Sequence, residues 1–432
     1  MMRSIYSLLL FMMLSAGVAA QEGYDIKVNI DGLEAEELYL GYYLLDKQYI
    51  RDTVKRNDEG QFIFKGENEL PGGVYLVIMP PENQYFPLLI SAGEQQFAVN
   101  TMKEDPFANM KVSGSEDNKM YYKYMEYLSE KVPLKNELLE KMNGEGISGA
   151  DKKQLEDQLN KLDQEVKAYH AELVEKFPKY LTAILAKSRI EIEEPAFTGD
   201  PKQQQLTRYL YYKQHWFDHY SLEDPRMLRS PDLFKRVDYY MEKLTPQVPD
   251  SISLSLDRVL GLMESSPETF KYYLGHYLNK YIKSKVVGMD AIYVHLVKNY
   301  YSDPAKTDWV SDEQRNKMVE NATTLEPILI GKKAPDITLK KRDQSAVSLH
   351  ELDSKYTVLI FWEPDCGHCK KTMPSLKDFY AKFQPKGVEV FAVCTKKYDK
   401  DKKLEEVEKC WKFLDENEMN DWINTIDPFL RS

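Results

Sequence analysis

Cysteine is scarce in this chain. Its 432 residues hold four, at 366, 369, 394 and 410, all near the C-terminal end. An exported domain built on a disulfide framework spreads its cysteines along the sequence. Most of this protein therefore folds without cross-links, and its cysteines read as chemistry before staples. A basic patch is missing too. Lys and Arg number 58 against 69 Asp and Glu, a formal net charge of −11. The Lys396-Lys397 and Lys402-Lys403 pairs are interleaved with acids and read as solvated faces, so there is no electrostatic case for nucleic acid.

Long apolar runs are absent after the first twenty residues, and no transmembrane segment is expected once those are removed. The opening itself has the layout of a secretory signal peptide. Arg3 supplies a short positive region, Ile5 to Val18 is mostly apolar, and Val18-Ala19-Ala20 offers small residues before a cut at Gln21. No cysteine stands at that cut to carry a lipid. Processing removes Arg3 and moves the net charge from −11 to −12. The roughly 400 residues that remain imply two or three domains.

What is present changes texture twice. From Tyr24 to about Val112 the pattern is strand-like. Tyr24-Asp25-Ile26-Lys27-Val28-Asn29-Ile30 alternates polar and apolar residues, as one buried sheet face requires. Runs at Leu38–Leu45, Phe62–Phe64, Val74–Met79, Phe86–Ile90 and Phe97–Val99 follow, separated by turns such as Asn57-Asp58-Glu59-Gly60. An antiparallel β-sandwich is expected over 21–113, after the signal segment 1–20. From Ser115 the period becomes helical, and an all-α domain is expected over 114–326. Leu155, Leu159, Leu162, Val166, Tyr169 and Leu173 form one apolar stripe, with Ser148 or Asp151 as N-cap. Paired with the helix of Tyr121, Tyr124, Met125 and Leu128, it predicts a packed helical hairpin. Helices are also expected at Pro231–Leu244, Leu254–Met263 and Pro267–Lys283. The many tyrosines suit helix interfaces or a broad binding face.

Glu326-Pro327 opens a third region, 327–432, with α/β alternation. Ile337-Thr338-Leu339 and Val347-Ser348-Leu349 flank a polar turn. Thr357–Trp362 reads as a buried strand, Cys366–Phe383 as a helix, Val388–Val393 as a second strand and Leu404–Leu414 as a second helix. Parallel pairing follows, at least in part. Cys366-Gly367-His368-Cys369 lies where the first of these strands runs into its helix. Unpaired N–H groups and the macrodipole at a helix N-terminus favour a thiolate, the form that attacks disulfides. The spacing lets the second sulfur resolve the mixed disulfide made by the first. A redox-active dithiol is the leading reading.

Gly331-Lys332-Lys333-Ala334-Pro335-Asp336, Trp362, the two cysteines and Pro374 together resemble exported thioredoxin-like proteins of the TlpA/ResA type. The order β domain, helical domain, thioredoxin module is similar to that of multidomain envelope proteins of Bacteroidetes-type bacteria. The resemblance implies that Cys366 is the exposed nucleophile and Cys369 the buried resolving thiol. It implies that Pro374 kinks the active-site helix and that Trp362 packs beside the site. The Gly367-His368 pair is like that of protein disulfide isomerases. A histidine there stabilises the reduced form and moves the couple toward oxidation, by roughly 90 mV relative to thioredoxin. The direction of electron flow stays open. No bound cofactor is needed. The implied partners are exported proteins with disulfides or thiols, and a membrane dithiol electron donor.

Three departures stand against that pattern. Ile360 occupies the place of thioredoxin's buried carboxylate, leaving Glu363 or water to move the proton of Cys369. Thr372 stands where these proteins often carry glutamate. A thioredoxin fold also continues into a cis-proline loop, a hairpin and a last helix. Pro428 has no strand run after it and does not match that proline, so the thioredoxin-like fold is expected to be incomplete at its C-terminus, the chain being a fragment of a longer protein.

Other candidates are weaker. Cys394 reads as a small apolar residue in or beside the sheet, with a Cys394–Cys410 disulfide as the alternative. Zinc on Cys366 and Cys369 lacks further ligands. His215 and His219 have the i, i+4 spacing of a ligand pair but read as an aromatic helix end, since no third ligand is visible. Peroxide reduction would want Thr and Arg near the cysteine, where Pro364 and Asp365 stand. An envelope scaffold working through its Tyr-rich domain is the alternative from another class.

Overall fold

The computed structural model describes residues 23–144, 147–396 and 403–427. The signal segment, the Glu145-Gly146 turn and Pro428 lie outside the described residues. The chain divides between Ala322 and Thr323 into two compact units.

The first unit opens with eight strands: β1 (Tyr24–Asp31), β2 (Glu37–Leu44), β3 (Lys47–Lys55), β4 (Phe62–Gly66), β5 (Gly73–Met79), β6 (Gln84–Ile90), β7 (Gln96–Met102) and β8 (Lys111–Ser113). They form two four-stranded sheets, ordered β4-β1-β7-β8 and β3-β2-β5-β6. Alternation decides the packing. Ile26, Val28, Phe62, Phe64, Phe97 and Val99 from one sheet share a core with Leu38, Leu40, Val77, Phe86 and Leu88 from the other. Each such side chain contributes roughly 1.5–3 kcal/mol by leaving water. The sandwich is antiparallel except for β1 and β7, which run parallel with Ile26 opposite Phe97. Unlike the other strands, β3 and β8 have no fully buried residue, and the apolar residues of β3 do not alternate. β3 is an edge strand with mostly exposed, polar residues, which suits an edge and hides it from a periodicity argument.

Helix α1 (Glu116–Met142) closes the opposite edge of that sheet. The Asn118 side chain accepts from the Leu89 N–H at 2.8 Å and donates to the Leu89 carbonyl at 2.7 Å, doing what another strand would do. Helix α2 (Gly149–Lys176) starts at Ser148, whose hydroxyl accepts the Asp151 N–H at 3.1 Å. The hairpin packs as its stripe requires: Leu138 meets Leu159 and Leu162, while Tyr124 and Leu128 meet Leu173, Ala183 and Ala186. The last two belong to α3 (Leu181–Lys187). Next come α4 (Pro201–His215), α5 (Pro231–Glu242), α6 (Pro249–Leu262) and α7 (Pro267–Ile282), each begun by a proline whose missing N–H costs nothing there. Helices α8 (Asp290–Leu296) and α9 (Asp312–Leu325) complete the series. Tyr240, Tyr273 and Tyr277 are fully buried among them. None of the helices among the described residues is long and apolar enough to cross a membrane.

The second unit contains β9 (Thr338–Lys340), β10 (Ala346–Ser348), β11 (Tyr356–Trp362), α10 (Gly367–Phe383), β12 (Val388–Cys394), α11 (Lys403–Glu416) and β13 (Ile423–Ile426). The sheet order is β10-β9-β13-β12-β11. β11, β12 and β13 are parallel, and the β9–β10 hairpin joins antiparallel to β13. This is a thioredoxin-like α/β sheet. β13 escaped the pattern because two of its four residues are polar. Both are buried: the Asn424 amide N–H donates to the Met419 carbonyl at 2.8 Å while its Oδ1 finds no partner, and Thr425 donates to the Ala392 carbonyl at 3.2 Å. One expectation needs correction. Tyr356–Trp362 is not a strand buried on both faces. Val358, Ile360 and Trp362 face the core under α10 and α11, but Phe361 on the other face is 46% exposed.

Candidate functional site

The end of β11 and the start of α10 deliver the dithiol. After Trp362, the Glu363-Pro364-Asp365 turn brings Cys366 to the N-cap position of α10. Its Sγ accepts the Cys369 backbone N–H at 3.3 Å, as a capping side chain does. The Cys369 thiol beside it, and then that N–H, hold the Cys366 thiol below the ordinary cysteine range, while the Glu363 charge opposes them. Burial, and the hydrogen bond to Cys366, push the Cys369 thiol up. The arrangement therefore separates a readily ionised first sulfur from a reluctant second one. Cys369 is not fully buried as expected: both thiols are half-buried, because Gly367, His368 and Lys370 leave the first turn of α10 in solvent.

The other singled-out residues surround this pair unevenly. Trp362 is buried against Phe413, ring centres 5.1 Å apart. Its carbonyl accepts the Thr395 N–H at 2.9 Å, which ties the strand end to β12. Pro374 lies inside α10 and removes one of its hydrogen bonds. A side chain at Gly367 would meet nothing, so space does not demand glycine there. His368 is exposed on the first turn. Ile360 packs with the core, an apolar group where thioredoxin has its carboxylate. Thr372 is exposed.

Sequence reading missed a charge network. Lys396, expected to be solvated, is only 20% exposed and reaches Asp365 at 2.6 Å and Glu406 of α11 at 3.7 Å. Lys396 holds the Asp365 carboxyl low. A cation thus offsets the acid immediately before Cys366. The partners are 31 positions apart, beyond any local spacing rule.

Cys394 is not a free apolar residue. It is disulfide-bonded to Cys410, Cα atoms 6.4 Å apart, pinning α11 to β12. Both are buried, and Cys394 lies opposite Trp362 in the sheet register. In the first unit, the His215 Nδ1 is 2.6 Å from Asp218 and its ring lies 4.2 Å from that of Tyr211, at the end of α4. No group of three or more His, Cys, Asp or Glu among the described residues is placed to hold a metal.

The AhpC/TSA family matches residues 330–420. Two domains of unknown function match upstream, DUF4369 over 24–121 and DUF5106 over 148–326. Thiol-disulfide oxidoreductase ResA of Oceanobacillus iheyensis is 44% identical over 68 residues, 15% of this chain and 35% of that protein. The C-terminal domain is thioredoxin-like and is similar over this stretch to thiol-disulfide oxidoreductases of the ResA type. ResA of Bacillus anthracis is 35% identical over 68 residues, 16% of this chain and 39% of its own. The chain thus spans little more than a third of these relatives. Among solved structures, a thioredoxin-like protein from Bacteroides caccae covers 55% of this chain and 83% of its own, at 18% identity and TM-score 0.38. The thioredoxin domain of a thiol-disulfide oxidoreductase from Bacteroides vulgatus covers 22% and 62%, at 28% identity and TM-score 0.19.

Proposed function

We propose that the protein is a periplasmic thiol–disulfide oxidoreductase that exchanges disulfides with exported proteins through Cys366 and Cys369. The observation that carries this reading is Cys366 at the N-cap of α10 with its sulfur on the Cys369 N–H. In the reductive direction the Cys366 thiolate attacks one sulfur of a substrate disulfide. A Cys366–substrate disulfide forms and the departing thiolate takes up a proton. Cys369 then loses its proton and attacks Cys366 Sγ, which closes Cys366–Cys369 and releases the second substrate thiol. The substrate gains two electrons and two protons; the protein loses them. An external dithiol, carried at the membrane, returns them. The steps reverse for oxidation, and neither direction uses a bound cofactor.

Several features support an extracytoplasmic setting. The first twenty residues have the signal layout, and a buried Cys394–Cys410 disulfide suits an oxidising compartment. Segments 21–113 and 114–326 would dock substrates or place the 327–432 module in the envelope. Trp362 and Pro374 would shape the site, and the exposed His368 would favour the reduced dithiol.

The test is the reduction potential of the Cys366–Cys369 couple in glutathione buffers. A reversible value above that of thioredoxin (roughly −270 mV) and toward −180 mV is expected from the Gly367-His368 pair. Absence of a reversible couple, or peroxide turnover without dithiol exchange, would overturn the reading.

A further inference from the structure

The dithiol chemistry leaves unused a cavity in the first unit, between the outer face of the β3-β2-β5-β6 sheet and the helices above it. Its volume is about 200 Å³. Val74, Leu76 and Pro87 give it an apolar floor, and Tyr121 and Tyr124 of α1 form a wall. Clefts where two layers or domains meet are common ligand sites.

Two opposite charges border it. The Arg189 guanidinium lies 6.0 Å over the Tyr124 ring. Asp232 stands in the first turn of α5. Both charges act on the same two phenols: Arg189 favours ionisation of Tyr121 and Tyr124, and Asp232 opposes it. Both side chains line the cavity. Among the described residues neither side chain has an ion-pair partner, and the Tyr121 hydroxyl makes no hydrogen bond. Tyr124 is engaged, with its hydroxyl 3.0 Å from His170.

We infer that this cavity binds a free α-amino acid with an apolar or aromatic side chain, its carboxylate on Arg189 and its ammonium on Asp232. Size and charge both select this class. The volume falls below the roughly 300–1,000 Å³ typical of sites for drug-sized ligands and suits a ligand of amino-acid size better than a nucleotide or a longer peptide. A cation and an anion on one small apolar pocket match a zwitterion, whereas a purely anionic or cationic ligand would leave one charge unanswered. Helix-dipole stabilisation at the start of α5 accounts for an acid at position 232. It accounts for neither Arg189 nor the cavity.

Isothermal titration of the full chain with L-phenylalanine and L-leucine tests this. One zwitterion per chain is expected to bind. 3-Phenylpropionate, lacking the ammonium, and 2-phenylethylamine, lacking the carboxylate, should each bind at least about tenfold more weakly. Arg189→Gln should weaken phenylalanine but not phenylethylamine. Asp232→Asn should weaken phenylalanine but not phenylpropionate. Cys366→Ser should bind like the parent, so the result is independent of the redox reading. Absence of binding at millimolar ligand overturns the inference, as do analogues that bind equally well or folded charge variants with unchanged affinity.

Discussion

The Cys369 backbone N–H donates to the Cys366 Sγ across 3.3 Å, so one thiol is stabilised as an anion by the residue that carries the second. Capping, the neighbouring thiol and the helix N-terminus act together on Cys366, while burial acts against ionisation of Cys369.

The first prediction concerns order of reaction. In the reduced protein, Cys366 should be alkylated by iodoacetamide before Cys369. Because only the thiolate reacts, the rate should rise with pH through a midpoint below the usual cysteine value of about 8.5. Peptide mapping against pH separates the two sites. Faster labelling at Cys369 would contradict the assignment. Cys366→Ala should abolish turnover, and Cys369→Ser should stall as a mixed disulfide with substrate.

The second concerns the other cysteine pair. Cys394 and Cys410 are 1% and 0% exposed, whereas Cys366 and Cys369 are half-buried. Mild reduction without denaturant should open only the more accessible Cys366–Cys369 couple and leave Cys394–Cys410 intact until unfolding. The closed loop, with its ends 16 positions apart, corresponds to about 3 kcal/mol in the chain-entropy account. Replacing both with valine should lower stability by up to that amount, read from urea unfolding. Free thiols at both positions in the native protein would refute this.

Much of this was legible because periodicity is a local property. The alternation from Tyr24 to Ile30 reappears as β1, and the Leu155–Leu173 stripe becomes the packed face of α2. Cys-x-x-Cys needed only its flanking strand and helix to be placed. What stayed hidden depends on residues far apart or on elements without an apolar rhythm. β3 is polar because it is an edge, and β13 is short and holds buried Asn424 and Thr425. The Lys396–Asp365 pair is set by the pairing of β11 with β12, and the Cys394–Cys410 bond, offered by the sequence only as an alternative, by the packing of α11 on β12.

Asp117 carries the third prediction. Its fully buried carboxylate accepts from Ser91 Oγ (3.0 Å), the Leu181 N–H (2.8 Å), the Thr182 N–H (3.0 Å) and Thr182 Oγ1 (2.8 Å). It joins the β6–β7 turn, α1 and the start of α3 at one point. Asp117→Ala would strand two N–H groups in the interior, at roughly 1–3 kcal/mol each. A loss of about 3 kcal/mol is expected in denaturant unfolding followed by circular dichroism. Asp117→Asn should lose less, since its carbonyl still accepts. Near-native stability of the alanine variant would show that water replaces these contacts.

The fourth prediction is a pH dependence. His170 is buried, with Nε2 3.0 Å from the Tyr124 hydroxyl. Burial, and then the Arg189 charge, push its pKa below the ordinary value. The unfolded chain therefore takes up this proton first as pH falls. The stability linked to His170 is complete above about pH 6.5 and is lost between there and its lower folded value, with a slope of at most about 1.4 kcal/mol per pH unit. Burial also lowers His219 and His276, so their titration adds to the acid sensitivity in the same direction. His170→Gln keeps an amide near Tyr124 but cannot titrate. Melting curves from pH 7.5 to 5 should fall less steeply for this variant than for the parent. Parallel curves would mean that His170 is protonated equally in both states and that the Tyr124 contact survives its charging.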